Sequence, residues 1–248
     1  VKCIVFDLDG TLAESKQPIK PAMGSRLKRL LRKYQVAVIS GGAWSQFESQ
    51  LLERLSLSSE EAIKLSLFPT SATCYYAWHG EKWSPIYIES MSHDERRQVL
   101  NAFEQALVDT NFEQPAQVWG QQIEDRGSQI TFSALGQEAP VNSKRRWDRD
   151  QSKRQVVVNC LVTLLPEFAI RIGGSTSIDV TKKGIDKRYG IEQIQHLLGI
   201  PISEMVFIGD ALSPGGNDFP VRATGIATIE VEGPKDTLAF IDGVFLCK

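Results

Sequence analysis

Three short apolar runs in this chain each stop abruptly at a glycine-containing polar cluster, and this pattern restricts the fold more than any other feature. Cys3-Ile4-Val5-Phe6 runs into Asp7-Leu8-Asp9-Gly10-Thr11, Val36-Ala37-Val38-Ile39 into Ser40-Gly41-Gly42, and Met205-Val206-Phe207-Ile208 into Gly209-Asp210. Apolar runs without alternation suit strands covered on both faces, the habit of parallel sheets. Between the first two, Leu27, Leu30, Leu31 and Tyr34 recur at helical spacing among Arg and Lys, and Phe47, Leu51 and Leu55 continue on one face of a second helix. Such alternation implies parallel strands joined by right-handed helical crossovers. The last third repeats it, with a helix near 186–198, strands near 205–208 and 226–229, and a short final helix.

The middle reads differently. Short strand-like segments fall around Trp83 to Ile88, Gln121 to Glu124 and Gln129 to Phe132, the last two flanking a turn at Arg126-Gly127. Helices are expected at about His93 to Val108 and Arg149 to Leu164, then strands near Phe168 to Ile172 and Ser177 to Thr181. Strands and helices without regular βαβ order suggest an α+β module. The expected fold class is therefore α/β: a doubly wound, parallel-sheet (Rossmann-like) core of residues 1–81 and 183–248, with an α+β cap inserted at 82–182. A length of 248 residues accommodates such a pair of domains.

Composition excludes several classes. The hydrophobic fraction of 42% supplies a sizeable core, and the net charge of −2 lacks the basic excess of a nucleic-acid-binding domain. The longest apolar stretch, Val156 to Leu165, is broken by Asn159 and Thr163, so no membrane span is expected. The opening residues lack a secretory signal. Cys3, Cys74, Cys160 and Cys247 show no metal or C-x-x-C spacing, which reads as reduced, mostly buried thiols in a cytoplasmic protein.

Ligand sites of open parallel sheets gather at the carboxyl ends of the strands. Asp7 and Asp9 stand there, two residues apart and able to address one volume, although an isolated Asp-Gly segment also makes an ordinary solvated turn. Ser40 and Gly41 offer a hydroxyl and backbone N–H groups to phosphate oxygens. Asp210, Asn217 and Asp218 lie at a third strand end, and Lys187 near the start of a helix adds a cation. Each like-charge pair at about 4 Å costs ~4 kcal/mol at an effective dielectric of about 20. Such a cluster calls for a divalent cation, and oxygen-only ligands favour Mg²⁺. The site then suits phosphoryl transfer, where positioning and charge stabilisation dominate.

FDLDGTL (6–12), SGG (40–42), Lys187 and GDALSPGGND (209–218) resemble the four motifs of the haloacid dehalogenase superfamily of phosphotransferases. The place of the inserted module is similar to that of its α/β-capped branch. GGSTSIDVTKKGIDKRYG (173–190) with GDALSPGGND resembles, more narrowly, the eukaryotic-type phosphomannomutases. The resemblance implies Asp7 as the nucleophile that forms an aspartyl-phosphate and Asp9 as general acid/base. It implies Mg²⁺ on Asp7, the backbone carbonyl of Asp9 and Asp210, and Ser40, Gly41 and Lys187 on the phosphoryl group. Asn217 and Asp218 would support Lys187 or metal-bound water. Lys16, Arg126, Lys144, Ser177 and Asp179 match phosphosugar contacts. The resemblance further implies a site in the cleft between core and cap, hinges near Gly80 and Lys183-Gly184, and a cap-to-cap dimer.

A mutase must hold a second phosphate on the cap and exclude water while a bisphosphorylated sugar reorients. Of three cap arginines that do this in the resembled family, Arg126 matches one, Gln137 stands at the second and Lys144 at the third. Lys16 replaces a core arginine. These changes tilt the sequence reading toward a sugar-phosphate phosphatase, with phosphomannomutase as the alternative. A degenerate, non-catalytic phosphosugar-binding module is a more distant one. The run from Lys144 to Arg154, KRRWDRDQSKR, reads as a solvated loop and helix start, as a substrate-phosphate contact, or least well as a nucleic-acid patch. Trp44 is expected to pack on the helix that follows Ser40-Gly41-Gly42.

Overall fold

The computed structural model describes residues 1–246. Cys247 lies outside the described residues. The chain divides into two compact units, one of Val1–Ile88 together with the segment from Asp186 onwards, the other of Glu89–Ile185.

The first unit begins with β1 (Cys3–Asp7), α1 (Pro21–Leu31), β2 (Gln35–Ile39), α2 (Trp44–Gln50), α3 (Ser59–Ile63) and β3 (Leu65–Phe68). A single turn, α4 (Pro69–Ala72), leads to the hairpin β4 (Cys74–His79) and β5 (Lys82–Ile88). The second unit holds α5 (His93–Asp109), β6 (Ile123–Asp125), β7 (Gln129–Ser133), α6 (Val141–Trp147), α7 (Ser152–Leu164), β8 (Phe168–Gly173) and β9 (Ser177–Lys182). The chain then returns with α8 (Lys187–Leu198), β10 (Met205–Gly209), β11 (Ala227–Glu230) and α9 (Pro234–Phe240).

The core sheet runs β11-β10-β1-β2-β3-β4-β5, parallel through β3 and antiparallel at β4 and β5. Every residue of β1 is buried, which explains its unbroken apolar sequence. Alternate residues feed two different layers. Ile4, Phe6, Val36 and Val38 pack with Met23, Leu27, Leu30 and Leu31 of α1, while Cys3, Val5, Ala37 and Ile39 pack with Ile191 and Ile194 of α8. Helices on both faces of a mostly parallel sheet make the doubly wound core. Helix α8 is closed at both ends by its own sequence: the Asp186 carboxylate accepts the Tyr189 N–H at 3.1 Å, and Gly199 takes the left-handed conformation at φ 64°.

Lys82–Ile88, which the sequence places in the inserted module, is the edge strand of this core sheet. Trp78 and Trp83 form a cross-strand, edge-on pair between β4 and β5 with centroids 5.6 Å apart. Gly80 and Glu81, at φ 55° and 75°, turn this hairpin. A hinge expected near Gly80 therefore falls inside the first unit, whose boundary comes after Ile88. Trp44 stacks on Tyr76 at 3.9 Å and 12°.

The second unit is an antiparallel sheet, β6-β7-β9-β8, with α5 and α7 against one face. Ile130, Phe132, Ile178 and Val180 share a cluster with Val99, Phe103, Val157 and Leu161. Thr131, Ser133, Ser177 and Asp179 alternate to the opposite face. Ser92 and Glu95 form a reciprocal cap at the start of α5. Asp148 does the same work for α7, accepting the backbone N–H groups of Lys153 and Arg154 at 3.0 and 3.2 Å.

Candidate functional site

The ends of β1 and β10, with the start of α8 and the loop after β10, bring four charged side chains together. Carboxylate oxygens of Asp7, Asp210 and Asp218 lie within 4.8 Å of one another. The Lys187 ammonium donates to Oδ1 of Asp7 and to Oδ1 of Asp218, with all three side chains buried. Asp218 is further held by the Ala211 N–H at 3.1 Å on its other oxygen, and Thr11 Oγ1 donates to Asp210 at 3.3 Å. Two glycines make room. A Cβ on Gly10, at φ 90°, would sit 2.2 Å from Asp210 Oδ2, and one on Gly209 would sit 2.3 Å from Asp218 Oδ2.

The electrostatics are unbalanced. Burial pushes the Asp7 carboxyl well above the usual carboxylate range; Lys187 opposes this and the charges of Asp218 and Asp210 add to it. Asp210 is pushed up to about 6, first by loss of water around its carboxyl and then by Asp218. Burial pulls Lys187 down, but Asp218 and Asp7 outweigh it and hold the ammonium above its ordinary value. Three carboxylates against one lysine leave a deficit of positive charge. A hard divalent cation fits that all-oxygen donor set.

Asp9 is not in this trio. Its Oδ1 accepts the backbone N–H of Lys16 at 2.7 Å, so Lys16 meets Asp9 through its main chain, at a positive φ of 55°. Asp218, expected only as support, is in the trio. Asn217 precedes it, in a loop without regular structure. At the end of β2, Ser40 is buried and its Oγ accepts the Gly42 N–H at 3.1 Å, an arrangement that leaves the hydroxyl proton to point elsewhere. Gly41 lies between them, partly exposed.

No residue pattern announces how that loop is supported. In α4, Thr70, Ser71 and Ala72 all take left-handed conformations, with φ of 50°, 58° and 68°. Each costs about 1–2 kcal/mol for a residue with a Cβ. The Thr70 and Ser71 N–H groups donate to the Gly42 and Ser40 carbonyls, both at 2.9 Å, so the strained turn grips the Ser40-Gly41-Gly42 loop from beneath.

In the second unit, Asp179 Oδ1 accepts from Thr131 Oγ1 at 2.7 Å, and the register sets Glu124, Thr131, Asp179 and Arg171 side by side across the sheet. Thr131 and Arg171 were not singled out from sequence, being ordinary strand residues there. Arg126, almost wholly buried, is paired with Glu124 at 2.7 Å. Lys144 is buried, its ammonium donating to the Gln137 carbonyl oxygen at 3.1 Å. Ser177 stands at the start of β9. Among the described cysteines, Cys3, Cys74 and Cys160 are free thiols, and burial pushes Cys3 up to about 12, which removes it as a nucleophile.

Residues 23–247 match the family model for eukaryotic phosphomannomutase. This chain belongs to that family. Mouse phosphomannomutase 1 is 28% identical over 94% of this chain and 88% of its own length. A probable phosphomannomutase from Caenorhabditis elegans is 26% identical over 97% and 94% respectively. Among solved structures, IMP-bound, N-terminally truncated Plasmodium falciparum IMP-nucleotidase superposes with a TM-score of 0.74 at 17% identity, covering 99% of this chain and 68% of that one. A haloacid dehalogenase-like hydrolase from Bacteroides thetaiotaomicron gives 0.63 at 16%, covering 98% and 99%. These structures share the fold, a doubly wound core interrupted by an inserted α+β unit. No helix among the described residues is long and apolar enough to cross a membrane.

Proposed function

We propose that this protein is a Mg²⁺-dependent phosphohexomutase that interconverts mannose 1-phosphate and mannose 6-phosphate through an aspartyl-phosphate. The observation that carries this reading is the family match, which continues through the whole inserted unit rather than covering the core alone. Although the sequence reading inclined to hydrolysis, that continuity supports the mutase more.

Asp7 and Asp210, together with the Asp9 carbonyl oxygen, would hold the cation, which supplies charge neutralisation to the transferring phosphoryl group. Oδ of Asp7 attacks phosphorus, forming the acyl-phosphate bond as the ester P–O bond breaks. The Asp9 carboxyl gives its proton to the leaving sugar oxygen, then as carboxylate takes one from the hydroxyl that attacks next. Lys187 donates two N–H bonds to Asp7 and Asp218, and its third serves a phosphoryl oxygen. Ser40 Oγ, fixed by the Gly42 N–H, directs its proton to another. Asn217 and Asp218 keep Lys187 in place. Lys16, Arg126, Lys144, Ser177 and Asp179 are assigned to the sugar phosphate. The free thiols support a reducing, cytoplasmic setting.

One observation favours a second reading, a sugar-phosphate phosphatase. Lys144 spends a donor on the Gln137 main-chain carbonyl, and a lysine and a glutamine offer a distal phosphate fewer donors than the arginines expected at these two positions. Losing a charge-assisted bond weakens such a contact by about 10- to 150-fold. The deciding experiment incubates the protein and Mg²⁺ with mannose 1-phosphate and a trace of hexose 1,6-bisphosphate, followed by ³¹P NMR. The mutase reading predicts growth of the 6-phosphate ester. Inorganic phosphate as the only product would replace it with the phosphatase.

A further inference from the structure

Four cations of the basic run from Lys144 to Arg154 are sorted by the structure into two pairs. Lys144 and Arg154 are buried and engaged inside the second unit. Arg146 and Lys153 point the other way, into a cavity of about 370 Å³ that the phosphotransfer site does not use. Its volume falls in the range of small-molecule sites, about 300–1,000 Å³.

The cavity walls are two indoles, Trp119 and Trp147, and the roof is the irregular segment from Glu113 to Gln117. That segment is not a loose tail. It is fastened at Trp119, whose N–H donates to the Leu135 carbonyl at 2.9 Å and whose carbonyl accepts the Glu138 N–H at 3.0 Å. Phe112, just before it, lies edge-on to Phe132 at 5.5 Å and 6.2 Å from Trp147. Trp147 is therefore on the Phe132 side of the sheet, whereas Ser177 and Asp179 alternate to the opposite side. The cavity is thus separate from the sheet face assigned to the sugar phosphate.

Two features of the lining select a ligand. Neither the Arg146 nor the Lys153 side chain makes an ion pair or hydrogen bond to a carboxylate among the described residues; Lys153 lies over the Trp147 ring, 5.4 Å from its centroid. Asp150 feels the charge of Lys153 without bonding to it; two exposed cations with no directly bonded carboxylate suit an anion, and a fork-shaped guanidinium beside an ammonium suits phosphate oxygens. The indole faces suit a flat or sugar ring. Glu113, the one acid in the lining, can accept a ring hydroxyl or amino proton.

We propose that this cavity is a second ligand site, for a small phosphate monoester carried on a ring, read by Arg146 and Lys153 at the phosphate and by Trp119 and Trp147 at the ring. A nucleoside monophosphate and a hexose monophosphate share that chemistry, and the assay separates them.

The test titrates the full-length protein, in EDTA, with adenosine 5′-monophosphate, glucose 6-phosphate, inorganic phosphate and adenosine, following tryptophan fluorescence and heat of binding. One of the two ring phosphates should bind saturably at one site, at least tenfold tighter than inorganic phosphate or adenosine. R146Q/K153Q, which changes exposed side chains only, should weaken that binding tenfold or more, and Trp119→Phe should reduce the quenching. Whichever ring phosphate binds identifies the source. The proposal is overturned if no ring phosphate saturates, if R146Q/K153Q binds like the parent, or if inorganic phosphate alone binds as tightly. None of these outcomes depends on Asp7 chemistry, so the proposed mutase reaction stands or falls separately.

Discussion

Each unit of this protein gathers one cluster of charge, and the two clusters are built on opposite accounts. In the inserted unit, Arg154 faces Asp148: Nε donates to the carboxylate at 2.7 Å, Nη2 to the Asp148 carbonyl at 3.2 Å, and Nη1 to the carbonyls of Gly173, Gly174 and Ser177 at 3.2, 2.9 and 3.4 Å. One charge meets one charge, and the remaining bonds of the guanidinium all go to backbone carbonyls. That is a closed arrangement, which ties the start of α7 to the turn between β8 and β9. In the core, one lysine faces Asp7, Asp210 and Asp218, with carboxyl pKa values forced upward at Asp7 and Asp210. The first cluster is finished by folding; the second is left wanting a cation and a reacting group. Burial of charge by itself is therefore no mark of a functional site, whereas an unmet balance is.

This contrast makes predictions of opposite kind. Asp7→Asn should lower turnover by about 10⁴-fold or more, as expected for loss of a nucleophile, and should not lower the melting temperature, because it removes one of the excess carboxylates. Arg154→Met should do the reverse: it strands Asp148 in the interior and should cost about 3–5 kcal/mol in a denaturant melt. Below its transition, that variant should still accept phosphate on Asp7 from acetyl phosphate.

A pH series sharpens the comparison. Asp210 holds its proton more tightly folded, near pH 6, than its ordinary value of 3.8. Its contribution to stability is therefore present below about 4 and lost as pH rises through about 6. Metal-free protein should accordingly lose melting temperature across that window, while Mg²⁺ should restore more at pH 7.5 than at pH 5, where it competes with the proton. In Asp210→Asn both effects should shrink together.

The smallest effect concerns backbone strain away from either cluster. Glu81 is exposed and left-handed at φ 75° in the β4–β5 turn, a place where glycine is favoured. Glu81→Gly should stabilise by about 1 kcal/mol in the same melt. The left-handed residues of α4 are a different case, since their N–H groups hold Ser40 and Gly42.

What could be read beforehand followed from residue type and period. The strands β1, β2 and β10 announce themselves because they are buried on both faces, and their carboxyl ends mark Asp7, Ser40 and Asp210. The Arg126-Gly127 turn is legible because glycine supplies the φ of 79° it requires. Strand β3 is four residues long and is followed by a turn that Thr70, Ser71 and Ala72 have no local reason to adopt, so neither carries a sequence signal. Strand β5 is legible at Trp83 to Ile88, but its partner β4 is half exposed and aromatic, and nothing local places the pair on the core sheet. The place of Asp218 depends on a loop that folds back on Ala211, and the fate of each cation between Lys144 and Arg154 depends on tertiary packing. Long-range partners of that kind are outside the reach of spacing.

The central claim is that Asp7 carries the phosphoryl group and needs a divalent cation to do so. Borohydride reduction of the protein during turnover converts an aspartyl-phosphate to homoserine, which peptide mass spectrometry locates. With Mg²⁺ and hexose 1,6-bisphosphate present, conversion at residue 7 is predicted, with none in EDTA and none in Asp7→Asn. Conversion at another carboxylate, or at Asp7 to the same extent without metal, would contradict the account.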